Sequence, residues 1–542
     1  MRLWSKVVST LGSGILFAGL AYAGTISGVV KGPDGAPFEG AFVQAQNSKT
    51  HISVYVLSHE DGRYEIPKLA AGEYSLRIRA AGYKAAPQSD LNLAADARST
   101  ADFSLQKAPV RWRDATIYQG QKLLPDAPGR QVFLRQCLGC HGFQSRMAAA
   151  ERDEDGWRDR VNYMRYTMFV GITDKQEDQV VQYLTSMFNP DSTLPRSPAD
   201  MPGYKDTVQH FPHDAMNIVY VEYDTGAGRF PWDCNPDKEG NIWVPYYSQV
   251  NTVARLDPNT GEFKEFKMSP QPRAAIHSAY PGPDGNVWFT EQLNNRLGEI
   301  DPQTGEVTEY QDVKPSGKER IGDVESNVSV YYRPHEPSKH TVRVDPRGVV
   351  WASGTPFSRF DPKTKKFTDY PDPFNTYGVA LNKDGSEVWF DGFVPEGKIY
   401  RVDAISGKIT GSWQPPTHGL PRRIQVDDNG IVWFAEFEGG KIGRFDPKTE
   451  TFKEFQLPGE HPTPYALAID KDGFAWYSSE DMDEVGRVDP NTGKVTEYPF
   501  PHMENKMREY TFDGQGRMWW ASPANNKVGY MYLAPSNERA SK

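Results

Sequence analysis

Gly430-Ile431-Val432-Trp433-Phe434-Ala435-Glu436, followed by Ile442-Gly443-Arg444-Phe445-Asp446-Pro447, is the stretch that fixes the architecture. The same pattern stands at Gly285-Asn286-Val287-Trp288-Phe289-Thr290-Glu291 with Leu297-Gly298-Glu299-Ile300-Asp301-Pro302. A turn glycine, a short apolar run around a tryptophan and a second run ending in Asp-Pro describe two antiparallel strands. The pattern recurs at Trp243, Trp288, Trp351, Trp389, Trp433, Trp476 and Trp519, with spacings of 45, 63, 38, 44, 43 and 43. A period near 43 residues with four short strands per unit predicts a β-propeller, and seven tryptophans predict seven blades over residues 201–534. Asp257-Pro258-Asn259-Thr260-Gly261, Asp301-Pro302-Gln303-Thr304-Gly305 and Asp489-Pro490-Asn491-Thr492-Gly493 are read as turns between the last two strands of their blades. Proline pre-sets the turn, and glycine supplies the positive φ.

The last repeat, 516–532, lacks a fourth strand, and residues 218–223 supply it from the front of the propeller. Pairing the two ends would close the ring and remove its open edges. The 63-residue interval marks an insertion at 311–340, a candidate lid over one mouth of the channel. Aligning the repeats on the turn glycine gives a register. Eight residues before it stand Trp232, His277, His340, Tyr377, Arg422, Tyr465 and Arg508. Innermost strands line the channel, so these seven are expected to form one ring of polar, cationic and aromatic side chains. A slip of one residue would put Arg423 in place of Arg422. His277 and His340 are the candidate bases. Trp232, Tyr377, Arg422, Tyr465 and Arg508 are the candidate substrate contacts, the arginines favouring an anion. Three residues after each tryptophan stand Tyr246, Glu291, Gly354, Gly392, Glu436, Ser479 and Ser522. Glu291 is read as a carboxylate able to meet His277, as an acid–base pair or as metal ligands.

Residues 108–200 change to helical periodicity, with amphipathic runs at 157–168 and 175–188. They contain Cys137-Leu138-Gly139-Cys140-His141. In an exported chain this spacing is a c-type haem attachment site: two thiols form thioethers to the haem vinyl groups, and the adjacent imidazole binds the iron. One covalent haem c is therefore the expected cofactor, held by Cys137, Cys140 and His141. Zinc would need a second pair of ligands, and Cys234 is the one other cysteine. The order of helices around the motif resembles a small class I cytochrome c, which implies a methionine as sixth ligand. Met164 is the candidate and Met168, one turn on, the alternative.

Residues 1–23 read as a secretory signal: Arg2 and Lys6, an apolar run from Val7 to Leu20, then Ala21-Tyr22-Ala23. A cleaved signal and an attached haem predict a periplasmic protein with no membrane span after processing. The formal charge of -10 argues against nucleic acid as a partner. Residues 24–107 alternate apolar and polar positions between turns such as Gly32-Pro33-Asp34-Gly35, predicting a β-sandwich. Gly40-Ala41-Phe42-Val43, Asp61-Gly62-Arg63-Tyr64 and Leu69-Ala70-Ala71-Gly72-Glu73-Tyr74 resemble the carboxypeptidase regulatory-like domain, which implies a transthyretin-like sandwich. Residues 535–542 are a tail.

The two stretches quoted first resemble the streptogramin B lyase-like propellers. That resemblance implies a magnesium-assisted elimination in which His277 and Glu291 match the family's histidine and one glutamate. Ala275 and Trp232 stand where the family carries other side chains. Three functions are thus expected from the sequence. The first is a periplasmic haem oxidoreductase or electron-transfer protein, binding a small molecule in the propeller and exchanging electrons with a periplasmic partner. The others are a magnesium-dependent lyase with an accessory cytochrome, and a ligand-binding or redox-sensing protein without turnover.

Overall fold

The computed structural model describes residues 24–139, 141–167, 170–270, 274–314, 337–371, 375–394 and 396–535. The signal segment, Cys140, Met168 and residues 315–336 of the insertion lie outside the described residues.

The turn glycines of the repeat, Gly240, Gly285, Gly348, Gly385, Gly430, Gly473 and Gly516, all have positive φ, between 68° and 92°. Each starts the second strand of its sheet. Six sheets have four antiparallel strands in sequence order, from Asn235–Pro236 to Val495–Pro499. The tryptophans are the wedges between sheets. Trp243 packs on Ile276 and Phe289 of the following sheet, and Trp433 on Leu467 and Tyr477. Trp519 packs back on Val244 and Ala254 of the first. Tryptophan suits this place because one side chain removes a large apolar area from water. A second device repeats with it. In five sheets an aspartate six residues upstream accepts the indole N–H: Asp237 at 2.9 Å, Asp345 at 3.2 Å, Asp427 at 3.1 Å, Asp470 and Asp513 at 2.8 Å.

The last set of strands is Tyr510–Phe512, Met518–Ser522 and Lys527–Leu533, completed by Ile218–Asp224 from the start of the propeller. The closing strand does not end the sheet. Its other edge pairs with Ser53–Leu57, so the sheet runs on into the N-terminal sandwich through Phe42–Asn47, Gly72–Arg79 and Gln88–Leu93. Expected closure of the ring by end pairing is present, but the outer edge is covered by another domain rather than left bare. The sandwich's second sheet contains Gly24–Lys31, Arg63–Leu69 and Arg98–Thr100, and its core includes Ile26, Val43, Tyr64, Ile66 and Leu76.

Between sandwich and propeller in sequence lies a helical segment. Its helices are Ile117–Leu123, Arg130–Val132 continuing as a π-turn through Phe133–Cys137, Glu154–Asn162 continuing through Tyr163–Thr167, and Asp174–Met187. Thr116, Asp153 and Thr173 cap three of them by accepting a backbone N–H. The apolar core is built from Phe133, Phe143, Trp157, Val180, Tyr183 and Leu184. No helix among the described residues is long and apolar enough to cross a membrane.

Candidate functional site

The seven aligned side chains do meet. Trp232 touches His277 edge-on, ring centroids 5.6 Å apart. His277 and His340 lie 3.5 Å apart, and His340 and Tyr377 4.0 Å. The hydroxyls of Tyr377 and Tyr465 are hydrogen bonded. The Arg422 guanidinium lies 3.5 Å over Tyr465, and Arg508 spans Tyr465 at 4.6 Å and Trp232 at 4.8 Å. The circle is closed by contacts from blade to blade.

A bulge explains why the ring holds more charge than one register predicts. Innermost strands shift register at 276–279, 339–342, 376–379, 421–424 and 464–467. A bulge sets two residues opposite one and re-aims side chains, so neighbours along the strand both turn inward. Arg422 and Arg423 are therefore not alternatives. Below the ring, Arg423 bonds Thr341 at 2.8 Å and pairs with Glu509 at 2.9 Å, with Asp233 at 3.9 Å. Arg343 also pairs with Glu509.

One cavity of about 900 Å³ reaches this ring. Its propeller side is lined by Phe230, Trp232, Tyr247, His277, His340 and Tyr377. Its other side is lined by the helical segment, through Cys137, His141, Trp157, Val161, Met164 and Leu184. The helical segment is fastened over the mouth by polar contacts. Arg508 Nη2 donates to the Gly139 carbonyl at 3.0 Å, inside the Cys-x-x-Cys-His motif. Gln144 donates to Asp483 at 3.3 Å, the Ser145 N–H to Glu504 at 3.1 Å, and Gln121 to Asp481 at 2.8 Å.

The histidines of the cavity are neutral. Burial, then the charge of Arg146, lowers His141 to about 4. Its Nδ1 donates to the Gly142 carbonyl at 2.6 Å, which leaves Nε2 as the lone-pair nitrogen. Burial holds His277 and His340 well below the ordinary histidine value; for His277 the neighbouring His340 comes next, and Arg423, Arg422 and Arg508 lower both. His340 Nδ1 donates to the Tyr377 carbonyl at 3.1 Å, so its Nε2 is also the basic nitrogen. Among the described residues, His277 Nδ1 and Trp232 Nε1 have no hydrogen-bond partner, and both atoms are closed off from solvent.

Four of the expected site residues lie off the cavity lining. Arg422, Tyr465 and Arg508 are fully buried and do not line the cavity. Arg508 is paired with Glu480 at 3.0 Å. Glu291 is also off the cavity wall: it accepts from Asn294 at 3.0 Å and faces Arg296 at 3.7 Å. The next residue, Gln292, lines the cavity instead, as Tyr247 and Thr355 do in neighbouring blades. The strand ends at Glu291, and the first residue past it turns to the channel. That strand end was the signal for Tyr247 and Gln292. Met164 lines the cavity, whereas Met168 and Cys140 fall outside the described residues.

The fold defines a class: a multidomain, mainly β chain with a lyase-like β-propeller and a carboxypeptidase regulatory-like sandwich. Residues 364–537 match the virginiamycin B lyase family and residues 25–106 the carboxypeptidase regulatory-like domain. Among solved structures, the chain is similar to the selenomethionine-substituted virginiamycin B lyase from Staphylococcus aureus, at 23% identity and TM-score 0.50, over 58% of this chain and 100% of that one. It is also similar to a streptogramin B lyase, at 22% identity and TM-score 0.50, over 59% of this chain and 99% of that one. At that identity the likeness is one of fold. No curated protein is matched by this chain.

Proposed function

We propose that this chain is a periplasmic c-type haem protein that binds a small molecule between the haem and the polar ring of a seven-bladed propeller, and exchanges its electrons with a periplasmic partner. The single observation carrying this reading is the continuous cavity, which has the haem-motif residues on one wall and two neutral histidines on the other. The count of seven rests on six four-stranded sheets plus the closing set.

The residues present fit a haem. Cys137 and Cys140 would hold it as thioethers, His141 would give Nε2 to the iron, and Met164 would be the sixth ligand. A metal-binding histidine commonly donates its other ring N–H to a carbonyl, as His141 does to Gly142. Arg146, Arg152 and Arg160 line the same wall and would face the propionates. When bound, the haem supplies one-electron transfer, with a potential raised by methionine ligation. The protein's own residues orient the substrate and manage its proton. His277 and His340, uncharged at neutral pH, are placed to accept it.

The metal-assisted lyase reading has the fold but lacks a donor set. No group of three or more His, Cys, Asp and Glu side chains suited to a metal forms among the described residues. Glu291, the expected partner of His277, is engaged with Asn294 and Arg296. The fold alone carries that reading, and no magnesium step is derived.

The test is a haem stain of denatured full-length protein, followed by anaerobic titration with candidate reductants. Covalent haem that is lost in Cys137→Ser, and reduced by a bound small molecule more slowly in His277→Ala, is the expected result. Colourless protein would overturn the proposal.

A further inference from the structure

We infer that the propeller side of the cavity takes an uncharged, planar aromatic molecule with an oxygen substituent, a phenol or the corresponding quinone. This names the substrate class for the site and rests on the function proposed above.

The wall is aromatic. Trp232 stacks on Tyr247 with ring centroids 4.1 Å apart and an interplanar angle of 23°. Phe230 packs beside Trp232 at 5.6 Å, and Tyr247 meets His277 edge-on at 5.9 Å. His340 and Tyr377 continue the surface. A flat ring inserted here gains offset-stacked and edge contacts that a saturated ring of equal size cannot make.

The wall is also uncharged. Among the described residues, no Asp, Glu, Lys or Arg of the propeller lines the cavity. The lining arginines, Arg146, Arg152 and Arg160, all belong to the helical wall. Of these, Arg152 lies over Trp157 at 5.1 Å, and Arg146 reaches the Phe230 ring at 5.7 Å. The nearest propeller cations, Arg422, Arg423 and Arg508, stand behind the ring and off the lining, so a carboxylate held against Trp232 and His277 would lose water without a direct ion pair, which a neutral ring does not need.

The polar atoms left over call for oxygen. Gln292 lines the same wall: its Oε1 accepts from the Tyr247 hydroxyl at 2.6 Å, and its amide N–H groups can donate to a ligand oxygen. A phenolic or quinone oxygen has the lone pairs to accept from the Gln292 amide, and a phenol brings a proton toward the His277 and His340 imidazoles that line the cavity.

Calorimetric titration of the full-length protein with p-cresol, p-toluate and 4-methylcyclohexanol tests the inference, since the three share size and differ in charge or planarity. We expect p-cresol to bind at least about tenfold more tightly than either analogue, and Trp232→Leu to weaken p-cresol about three- to tenfold while leaving 4-methylcyclohexanol unchanged. Near-ultraviolet circular dichroism checks that the variant is folded, and Trp232→Phe should restore most of the affinity. Absence of p-cresol binding, p-toluate binding as tightly, or unchanged affinity in folded Trp232→Leu would each overturn it. The two proposals fail separately. p-Cresol binding to a protein without haem refutes the redox reading and leaves the ligand class standing. Haem reduction by aliphatic donors, without p-cresol binding, does the reverse.

Discussion

Asp427 shows how one carboxylate can serve two needs of a blade. Its Oδ1 accepts the Asn429 and Ile431 N–H groups at 2.8 and 3.0 Å, shaping the tight turn, and its Oδ2 holds the Trp433 indole at 3.1 Å. Asp427→Ala removes both acceptor oxygens and with them three hydrogen bonds, and orphans a half-buried indole N–H, so unfolding free energy should fall by about 2–3 kcal/mol in a denaturant titration. An exposed carboxylate such as Asp428, replaced in the same way, should change it by less than about 0.5 kcal/mol. The ring residues were legible because the turn glycine fixes the register, and every one of those glycines has the left-handed φ that the alignment assumed. The orientation of Glu291 was not legible. Its identity suggests catalysis, but the neighbours that claim it, Asn294 and Arg296, lie in the turn and strand that follow it.

Secondary-structure elements were easier to read than their irregularities. Helical periodicity marks the helices that follow the Cys-x-x-Cys-His motif, and the structure adds Asp153 and Thr173 as their caps. The bulges that turn both Arg422 and Arg423 inward leave no signature in composition, because they arise from pairing with the next strand. The strand Val432–Glu436 carries a further consequence of burial. Glu436 has no hydrogen-bond partner for either carboxylate oxygen, and burial, reinforced by Glu454, raises its pKa to about 8. The folded value lies above the unfolded one of 4.5, so the unfolded state loses this proton first. The contribution of Glu436 is complete below the unfolded value and is lost as pH rises through the folded one. Glu436→Gln, which cannot ionise, should therefore gain thermal stability relative to the parent as pH rises from about 5 to about 8. A constant difference in melting temperature across that range would contradict the assignment.

On the scale of the whole molecule, the three parts are joined by a sheet and a lid-like helical cover rather than by linkers alone. Tyr220 pairs with Tyr55 and Met531 on its two sides, so the propeller's closing strand is also the sandwich's inner neighbour. Removing residues 24–107 would bare that strand and the apolar faces of Tyr220 and Met216. The truncated protein should aggregate or self-associate on size-exclusion chromatography, while the intact chain runs as a discrete species. The sequence predicted sandwich and propeller as separate units; their shared sheet depends on pairing across more than 160 residues of intervening chain, which no local pattern reports.

That shared sheet also constrains how the chain is born. Ser53–Leu57 emerges well before its neighbour Ile218–Asp224, which is in turn held from the far side by the still later Lys527–Leu533. The early domain must therefore wait with one flank open until residues 218–224 have been made, and that strand waits in turn for residues 527–533. Contacts so remote in order along the polypeptide form slowly. A cell that makes this protein would have to shield the waiting flank in the meantime, and crowding of nascent copies would be its most vulnerable moment.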